Sequence, residues 1–175
     1  MNGPALESRL QQIRALALDV DGVLTDGGFW WGPGGEEWKR FCFADIMGIS
    51  LARRAGLHVG LISGEDTQVV DRYAAKMKIP FVAKGCRDKA AALHDFASST
   101  GVSLVEICYM GDDVNDVAAM ELAGLAAAPA NAAAIALAQA TLVTHNPGGN
   151  GAVREVIDAI LAAHELDIRE VFSRP

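Results

Sequence analysis

The 175-residue sequence has only three cysteines, and their positions exclude two kinds of site. Cys42, Cys86 and Cys108 are odd in number and far apart, so they match neither a metal-ligand cluster nor a redox motif. Cysteines used in this way are typical of proteins that keep free thiols in a reducing compartment. We therefore expect no disulfide and a cytoplasmic location.

The sequence also lacks a long apolar segment and a basic stripe. Residues 1–20 include Glu7, Arg9 and Arg14 and do not resemble a signal peptide, and glycine and proline interrupt the alanine-rich stretch 122–138. Lysine and arginine number 15 against 22 aspartate and glutamate, giving a net charge of -7. These features argue against a membrane span and against a nucleic-acid partner.

Short apolar runs alternate with amphipathic stretches along the chain, which predicts an α/β fold with a doubly wound parallel sheet. Hydrophobic residues make up 51% of the sequence, enough for one core, so we expect a single domain over residues 1–175 with a polar, mobile tail at 165–175. The predicted strands cover residues 15–20, 58–62, 79–82, 105–110, 124–128 and 141–143, and the predicted helices cover residues 45–55, 66–77, 88–99, 113–121, 131–138 and 151–163.

One segment, residues 27–43, interrupts this alternation and predicts a projecting β-hairpin around a glycine-rich turn. It carries all three tryptophans and three of the six phenylalanines. A hairpin has no core of its own, so either the domain body or another subunit must cover these rings. We favour another subunit.

Asp19 and Asp21 stand two residues apart where the first apolar run ends. Burying two neighbouring carboxylates costs several kcal/mol unless something neutralises them, and a bound cation commonly does so. The pair therefore indicates a catalytic or metal site, with turn capping as the alternative.

A second acidic group, Asp112, Asp113 and Asp116, follows the predicted strand at 105–110. In a parallel sheet these carboxylates can face those after the first strand, and such hard oxygen donors suit Mg²⁺ better than zinc. Asp113 can instead cap a helix, and Asp116 can orient the other groups rather than bind the ion.

Two other strand ends carry complementary groups. Ser63 and Gly64 can bind an anion at the start of the next helix, through a hydroxyl and a backbone N–H. Lys89 falls in the first turn of a helix, where the helix dipole does not favour a cation, and this position suggests a functional role.

These four motifs, in this order, resemble those of the haloacid dehalogenase superfamily of phosphohydrolases. The length without a cap domain, the hairpin and the segment 148–155 resemble in particular the 3-deoxy-D-manno-octulosonate (KDO) 8-phosphate phosphatases and their relatives that act on nonulosonate 9-phosphates. The resemblance implies a homotetramer joined through the hairpin, a sugar phosphate substrate and Mg²⁺ as cofactor.

The resemblance also implies roles for the motif residues. Asp19 is the nucleophile that forms an aspartyl-phosphate, and Asp21 is the general acid and then the base. Ser63 and Lys89 bind the phosphoryl group, and the metal lies between Asp19, the backbone carbonyl of Asp21 and Asp112. Asp116 fixes Lys89 or a metal-bound water.

The substrate-binding positions depart from the octulosonate pattern. Glu65 stands where an arginine is expected, and Ser50 and Tyr73 lie near the positions of two others. Glu65 followed by Lys76 resembles the nine-carbon relatives, in which Gly64, Glu65 and Lys76 would contact the substrate. Alternatively, Glu65 stabilises the N-terminus of the following helix.

Two other functions are compatible with the fold. A catalytically silent assembly or regulatory module associated with nonulosonate activation is disfavoured, because both aspartates of the first motif are present together with Ser63, Lys89 and Asp112. Phosphoryl transfer between sugar positions is disfavoured because a mutase must exclude water, and no cap domain is present to do so.

Overall fold

The structure is a computed structural model that describes residues 3–174; residues 1–2 and 175, the ends of the predicted domain and tail, lie outside the described residues. Six strands form one parallel sheet in the order β5-β4-β1-β6-β7-β8, and two short strands pair as an antiparallel hairpin. The predicted doubly wound α/β fold is confirmed. The strands are β1 (Ala15–Leu18), β2 (Trp30–Trp31), β3 (Glu37–Trp38), β4 (His58–Ile62), β5 (Phe81–Ala83), β6 (Ile107–Met110), β7 (Leu125–Ala128) and β8 (Leu142–Val143).

Helices cover both faces of this sheet, which is why β1, β6 and β7 are apolar at every position and fully buried. One apolar core lies under α1, α2, α3, α7 and α8, and the other lies under α4, α5 and α6. Among residues 3–174, no helix is both long and apolar enough to span a bilayer. The helices are α1 (Pro4–Gln12), α2 (Phe43–Arg54), α3 (Gln68–Met77), α4 (Lys89–Thr100), α5 (Val117–Leu122), α6 (Ala134–Gln139), α7 (Ala152–Ala163) and α8 (Ile168–Ser173), with 3₁₀ turns at Leu104–Glu106 and Val114–Asp116.

The direction of winding reverses beside β1. Leu18 at the end of β1 pairs with Leu61 of β4 on one side and with Met110 of β6 on the other. The chain builds the sheet outward through β4 and β5, then returns to place β6 against the free side of β1. A crevice at the carboxyl ends of the strands is expected at such a reversal, and the segments after β1 and β6 border it.

Two helices are absent from the sequence-based prediction, α1 and α8. Both are short, and each has one fully or nearly buried side chain, Leu10 in α1 and Val171 in α8. Helix α8 lies within the segment expected to be a mobile tail, where the Asp167 side chain accepts hydrogen bonds from two N–H groups of its first turn. Residues up to Ser173 are thus helical and packed against α2.

The predicted hairpin is formed by β2 and β3, in which Trp30 pairs with Trp38. The domain body leaves its aromatic rings exposed: Phe29, Trp30, Trp31 and Trp38 each keep between 52% and 72% of their accessible surface. Of the two ways of burying these rings that the sequence suggested, packing against the domain body is therefore not the one used.

Candidate active site

The central feature of the site is the meeting of two loops at the carboxyl ends of β1 and β6. Asp19 follows β1, and its backbone N–H donates to the carbonyl of Met110 (3.0 Å), so the ladder with β6 continues to the acidic residue. Asp112 follows β6, and the side chains of Asp19 and Asp112 approach within a cluster whose carboxylate oxygens lie less than 4.8 Å apart. The first and fourth motifs are therefore brought together.

Glycine at position 22 allows this close approach. Its φ is +89°, and a Cβ there would lie 2.0 Å from Oδ2 of Asp112. Gly148 and Gly149 pack against the other side of this loop. A Cβ at position 148 would lie 1.7 Å from the carbonyl oxygen of Gly22, so only glycine fits there. The N–H of Gly149 donates to the carbonyl of Val23 (2.9 Å). The late glycine-rich segment thus supports the site by packing against the β1 loop.

The N-terminus of α7, which continues this segment, is fixed by Asp45 of α2. The buried Asp45 carboxylate accepts hydrogen bonds from the N–H groups of Gly151 (3.2 Å) and Arg154 (2.8 Å). Burial raises the pKa of Asp45, and these hydrogen bonds offset part of that rise. This contact accounts for an aspartate at position 45.

Lys89 is the first residue of α4 and is almost fully buried, as its proposed role requires. Its Nζ lies 2.8 Å from Oδ1 of Asp19 and 2.7 Å from Oδ1 of Asp116. Burial alone would lower the pKa of Lys89, but the two carboxylates raise it above its ordinary value. The ammonium group therefore stays charged between them.

Asp116 is fully buried and its two oxygens are occupied by four donors. Oδ1 accepts from Lys89 and from the hydroxyl of Tyr109 (2.6 Å), and Oδ2 accepts from the backbone N–H groups of Asp112 (3.0 Å) and Asp113 (3.3 Å). A carboxylate has about four lone-pair positions. Although its oxygens lie close enough to Asp19 and Asp112 to share an ion, Asp116 has no acceptor capacity left for one and instead orients its neighbours.

The charged forms of Asp19 and Asp112 are costly in this environment. Burial raises the pKa of Asp19 to about 8, with Lys89 lowering it and Asp116 raising it further. Burial raises the pKa of Asp112 to about 6, and the negative charge of Asp116 adds to this rise. Such a pair of desolvated oxygen donors, one of them partly exposed to water, fits a hard divalent cation such as Mg²⁺.

Asp21 has a different partner from the other aspartates. Its Oδ1 lies 2.7 Å from Nζ of Lys39, a hairpin residue whose side chain is only 3% exposed. One oxygen of the Asp21 carboxylate is therefore engaged in an ion pair with the hairpin.

A cavity of about 170 Å³ opens over these carboxylates. It is lined by Asp19, Asp21, Gly64, Glu65, Asp112, Asp113 and Asn115. Larger surface clefts exist, such as the cleft of about 470 Å³ between α1 and α7, but most of its lining residues are apolar and Glu7 is the one ionisable residue among them. The cavity over the acidic cluster is therefore the candidate active site.

The residues after β4 are placed partly as expected. Ser63 is fully buried, and its Oγ accepts a hydrogen bond from the N–H of Glu65 (3.2 Å). Helix α3 begins only at Gln68, so the expectation that Ser63 and Gly64 lie at a helix N-terminus is wrong; a short loop intervenes. Gly64 and Glu65 line the cavity, but Ser63 lies outside that lining.

Asp113 has the capping interaction that the sequence left open for it. Its Oδ1 accepts a hydrogen bond from the N–H of Val114 (2.7 Å), and it caps the 3₁₀ turn Val114–Asp116. Because it also lines the cavity, the capping contact keeps one of its oxygens engaged beside the site.

The structure does not bring Lys76 into this cavity. Lys76 lies in the last turn of α3, with Nζ 5.7 Å from the ring centroid of Phe43. Tyr73, near a position where an arginine is expected, is buried with its ring stacked on Phe41 at 4.2 Å. Neither residue can touch a ligand in the cavity of its own chain.

Three residues of the site were missed by the sequence analysis: Lys39, Tyr109 and Asn115. Tyr109 belongs to an apolar run and gave no polar signal, and Lys39 comes to Asp21 only through the fold of the hairpin. Asn115 lies inside the second acidic motif and could have been proposed from its position there.

Comparisons with known proteins agree with this geometry. The family model of haloacid dehalogenase-like hydrolases matches residues 62–157. The chain is 38% identical over 160 residues to the KDO 8-phosphate phosphatase of Salmonella typhimurium, covering 91% of this chain and 85% of that protein.

Two solved structures of similar proteins are also close. The KDO 8-phosphate phosphatase of Moraxella catarrhalis, solved with magnesium, phosphate and KDO, superposes with a TM-score of 0.91 at 32% identity, covering 94% of each chain. The cobalt-bound phosphatase of Haemophilus influenzae superposes with a TM-score of 0.89 at 33% identity, covering 94% of this chain and 98% of that one. This chain therefore belongs to the KDO 8-phosphate phosphatase family of the haloacid dehalogenase-like hydrolases, and it is a phosphatase.

Proposed function

We propose that this phosphatase hydrolyses the terminal phosphate of a 3-deoxy-ulosonate sugar phosphate and that it requires Mg²⁺. The observation that carries the proposal is the placement of Asp19 between Lys89 and Asp112, with Asp21 lining the same cavity. The names of the similar proteins support a KDO 8-phosphate substrate, and the Moraxella catarrhalis structure was solved with KDO itself.

Asp19 is the proposed nucleophile. Lys89 holds its Oδ1, which leaves the second oxygen to attack phosphorus and form an aspartyl-phosphate. The ammonium group of Lys89 offsets the repulsion between the anionic nucleophile and the anionic phosphate. Asp116 accepts a second hydrogen bond from Lys89 and so keeps it in this position, and the Tyr109 hydroxyl donates to the same oxygen of Asp116.

Asp21 is the proposed general acid and base. An alkoxide is a poor leaving group, so the departing sugar oxygen needs a proton as its bond to phosphorus breaks, and Asp21 supplies that proton. The resulting Asp21 carboxylate then removes a proton from the water that hydrolyses the aspartyl-phosphate. Its side chain is partly exposed and lines the cavity.

Asp19, the backbone carbonyl of Asp21 and Asp112 are the groups that would hold Mg²⁺. When bound, the ion supplies Lewis-acid stabilisation of the phosphoryl oxygens. Ser63 is proposed to donate its hydroxyl proton to a phosphoryl oxygen, since its Oγ already accepts from the N–H of Glu65. Gly64 leaves its backbone N–H beside the cavity for the same purpose.

The size of the cavity limits what it can bind. Sites for small molecules typically have volumes of about 300–1,000 Å³, whereas this one has about 170 Å³. It fits a phosphoryl group and the atoms next to it, so the rest of the sugar extends past Glu65 to the outside. Glu65 can accept hydrogen bonds from hydroxyl or amide groups there, and this observation favours a nine-carbon nonulosonate 9-phosphate as the second candidate substrate.

A neighbouring subunit is proposed to complete the site. The exposed rings of Phe29, Trp30, Trp31 and Trp38 form an apolar surface that a homotetramer assembled through the hairpin would bury. Lys76 lies outside its own cavity, so a substrate contact from Lys76 requires such a neighbour. Sedimentation that showed a fully active monomer would contradict this assembly.

The proposed location is the cytoplasm. Within residues 3–174, Cys42, Cys86 and Cys108 are all free thiols, and Cys108 is buried in the sheet. Free thiols of this kind are typical of reducing compartments.

The decisive experiment compares two substrates. Phosphate release from KDO 8-phosphate and from a nonulosonate 9-phosphate is measured as kcat/KM, first with Mg²⁺ and then with EDTA. A metal-dependent preference of more than about tenfold, or about 1.4 kcal/mol of transition-state binding, identifies the substrate. Absence of release from either substrate by folded protein would refute the proposal and point to a different phosphate ester or to the silent module.

A further inference from the structure

Lys39 is a buried cation that the reaction described above does not use. It directly follows β3, the second strand of the hairpin. The preceding residue, Trp38, is the last of that strand and is 58% exposed. The Lys39 side chain turns the other way, into the domain, and keeps only 3% of its accessible surface. A lysine is rarely buried this deeply unless its charge is paired.

The partners of Lys39 lie on two different elements. Its Nζ lies 2.7 Å from Oδ1 of Asp21 in the loop after β1 and 3.2 Å from Oε1 of Glu37 in β3. Burial alone would lower the pKa of Lys39, but the nearby carboxylates of Asp21 and Glu37 raise it above its ordinary value. The ammonium group therefore remains charged. The ion pair therefore ties the base of the hairpin to the residue proposed to protonate the leaving group.

The two oxygens of Asp21 are in different environments. Oδ1 is held by Lys39, whereas Oδ2 is buried and has no hydrogen-bond partner among the described residues. An unpartnered buried carboxylate oxygen is costly, and such groups occur where a ligand or a reacting proton supplies the missing partner. Because Oδ1 is paired with the ammonium group, Oδ2 is the oxygen suited to carry that proton.

We propose that Lys39 is a positioning residue for leaving-group protonation: by holding Oδ1 it fixes the Asp21 carboxyl group and leaves Oδ2 as the oxygen that carries the proton for the departing oxygen of the substrate. The inference rests on the proposed role of Asp21 as general acid. In the step concerned, an oxygen of Asp19 bonds to phosphorus, the bond from phosphorus to the sugar oxygen breaks, and the proton on Oδ2 of Asp21 moves to that sugar oxygen. Glu37 is the second carboxylate within ion-pair distance of Lys39.

The test uses two substrates that differ in their need for a proton. A sugar or alkyl phosphate releases a basic alkoxide and depends on general acid catalysis, whereas 4-nitrophenyl phosphate releases an acidic phenol that departs without a proton. For each variant we take the ratio of kcat/KM on the alkyl substrate to kcat/KM on the aryl substrate. This ratio does not depend on the fraction of folded enzyme, and kcat/KM excludes the later hydrolysis step.

Arg40 provides a matched control in the same hairpin. Its Nε lies 3.3 Å from Oδ2 of Asp26, so it also pairs with the β1 loop, but it does not contact Asp21. Lys39→Gln is expected to lower the alkyl-to-aryl ratio by about tenfold or more, a part of the 100-fold or larger contribution typical of general acids. Lys39→Arg should restore much of the ratio, and Arg40→Gln should leave it at the wild-type value.

The outcomes separate this inference from the function on which it rests. A selective loss in Lys39→Gln that matches Asp21→Asn in direction supports it. Equal losses on both substrates, or no loss, while Asp21→Asn is selective would overturn the role of Lys39 and leave the role of Asp21 intact. If Asp21→Asn itself shows no selectivity, both the general-acid role and the inference built on it are wrong.

Discussion

Replacing Gly22 with alanine tests whether metal binding depends on the close approach between the β1 loop and Asp112. The added Cβ would lie 2.0 Å from Oδ2 and 2.5 Å from Cγ of Asp112, and real Cβ atoms essentially never come closer than 3.0 Å to another heavy atom. Oδ2 must therefore move by about 1 Å. Metal–ligand distances tolerate only about 0.2 Å.

The substitution also strains the backbone, because φ at Gly22 is +89°. A residue with a side chain in this region costs about 1–2 kcal/mol, which corresponds to roughly 2–8 °C in Tm for a protein of this size. Gly56→Ala is a matched control for this term, since Gly56 has the same φ of +89° and no atom within 4 Å of its Cβ position.

The assay measures phosphate release against Mg²⁺ concentration, together with the rise in Tm on adding Mg²⁺. Both variants should lose similar stability in EDTA. Only Gly22→Ala should need more Mg²⁺ and lose about 100-fold in kcat/KM, the scale expected for a 1 Å misplacement of a reacting group. If Gly22→Ala matched Gly56→Ala in both activity and Mg²⁺ dependence, Asp112 would not be a metal ligand at this position.

Three other predictions follow from the site. Asp19→Asn should abolish phosphate release and keep the fold, since Lys89 retains its partner Asp116; wild-type turnover in Mg²⁺ would contradict the nucleophile assignment. Glu65→Arg should shift relative kcat/KM toward the eight-carbon substrate by about tenfold, since one charge-assisted hydrogen bond contributes about 1.5–3 kcal/mol; an unchanged ratio means that Glu65 does not select substrate. In EDTA, Tm should fall as pH rises from about 4 to about 8, because the folded protein holds protons that the unfolded chain has released, on both Asp112 and Asp19 up to about pH 6 and on Asp19 alone up to about pH 8; Mg²⁺ should remove this slope, and a flat profile in EDTA would contradict the pKa assignments.

The parts of the site that could be predicted from the sequence are those set by strand ends. Asp19, Asp112 and Lys89 each lie at or just beyond the boundary of a strand or helix, and a parallel sheet brings its carboxyl ends to one edge whatever the details of packing. Apolar runs mark the strands that end there, so fold class and motif placement follow together. The prediction needs only element order, not side-chain contacts.

The contacts that could not be predicted depend on how elements pack. Lys39 reaches Asp21 because the hairpin folds back on the β1 loop, and no spacing in the sequence indicates this. Tyr109 occupies an apolar strand position, and its hydroxyl has a polar partner only because the fold brings it to the carboxylate of Asp116. The position of Lys76 could not be predicted either: it follows Glu65 along the chain, but helix α3 places it outside the cavity of its own chain.

Charge balance supports the proposal that this core binds a divalent cation beside its lysine. Asp19, Asp112 and Asp116 bring three carboxylates together, and Lys89 supplies the one ammonium group that contacts two of them, which leaves a formal charge of -2 when all are ionised. Burial makes that excess expensive, and the raised pKa values of Asp19 and Asp112 express the cost. A second lysine would remove only half of it, whereas a divalent cation removes all of it and still leaves coordination positions for phosphate and water. Since Asp116 is saturated by its own donors, the proposed ion would be held by Asp19 and Asp112, which both line the cavity.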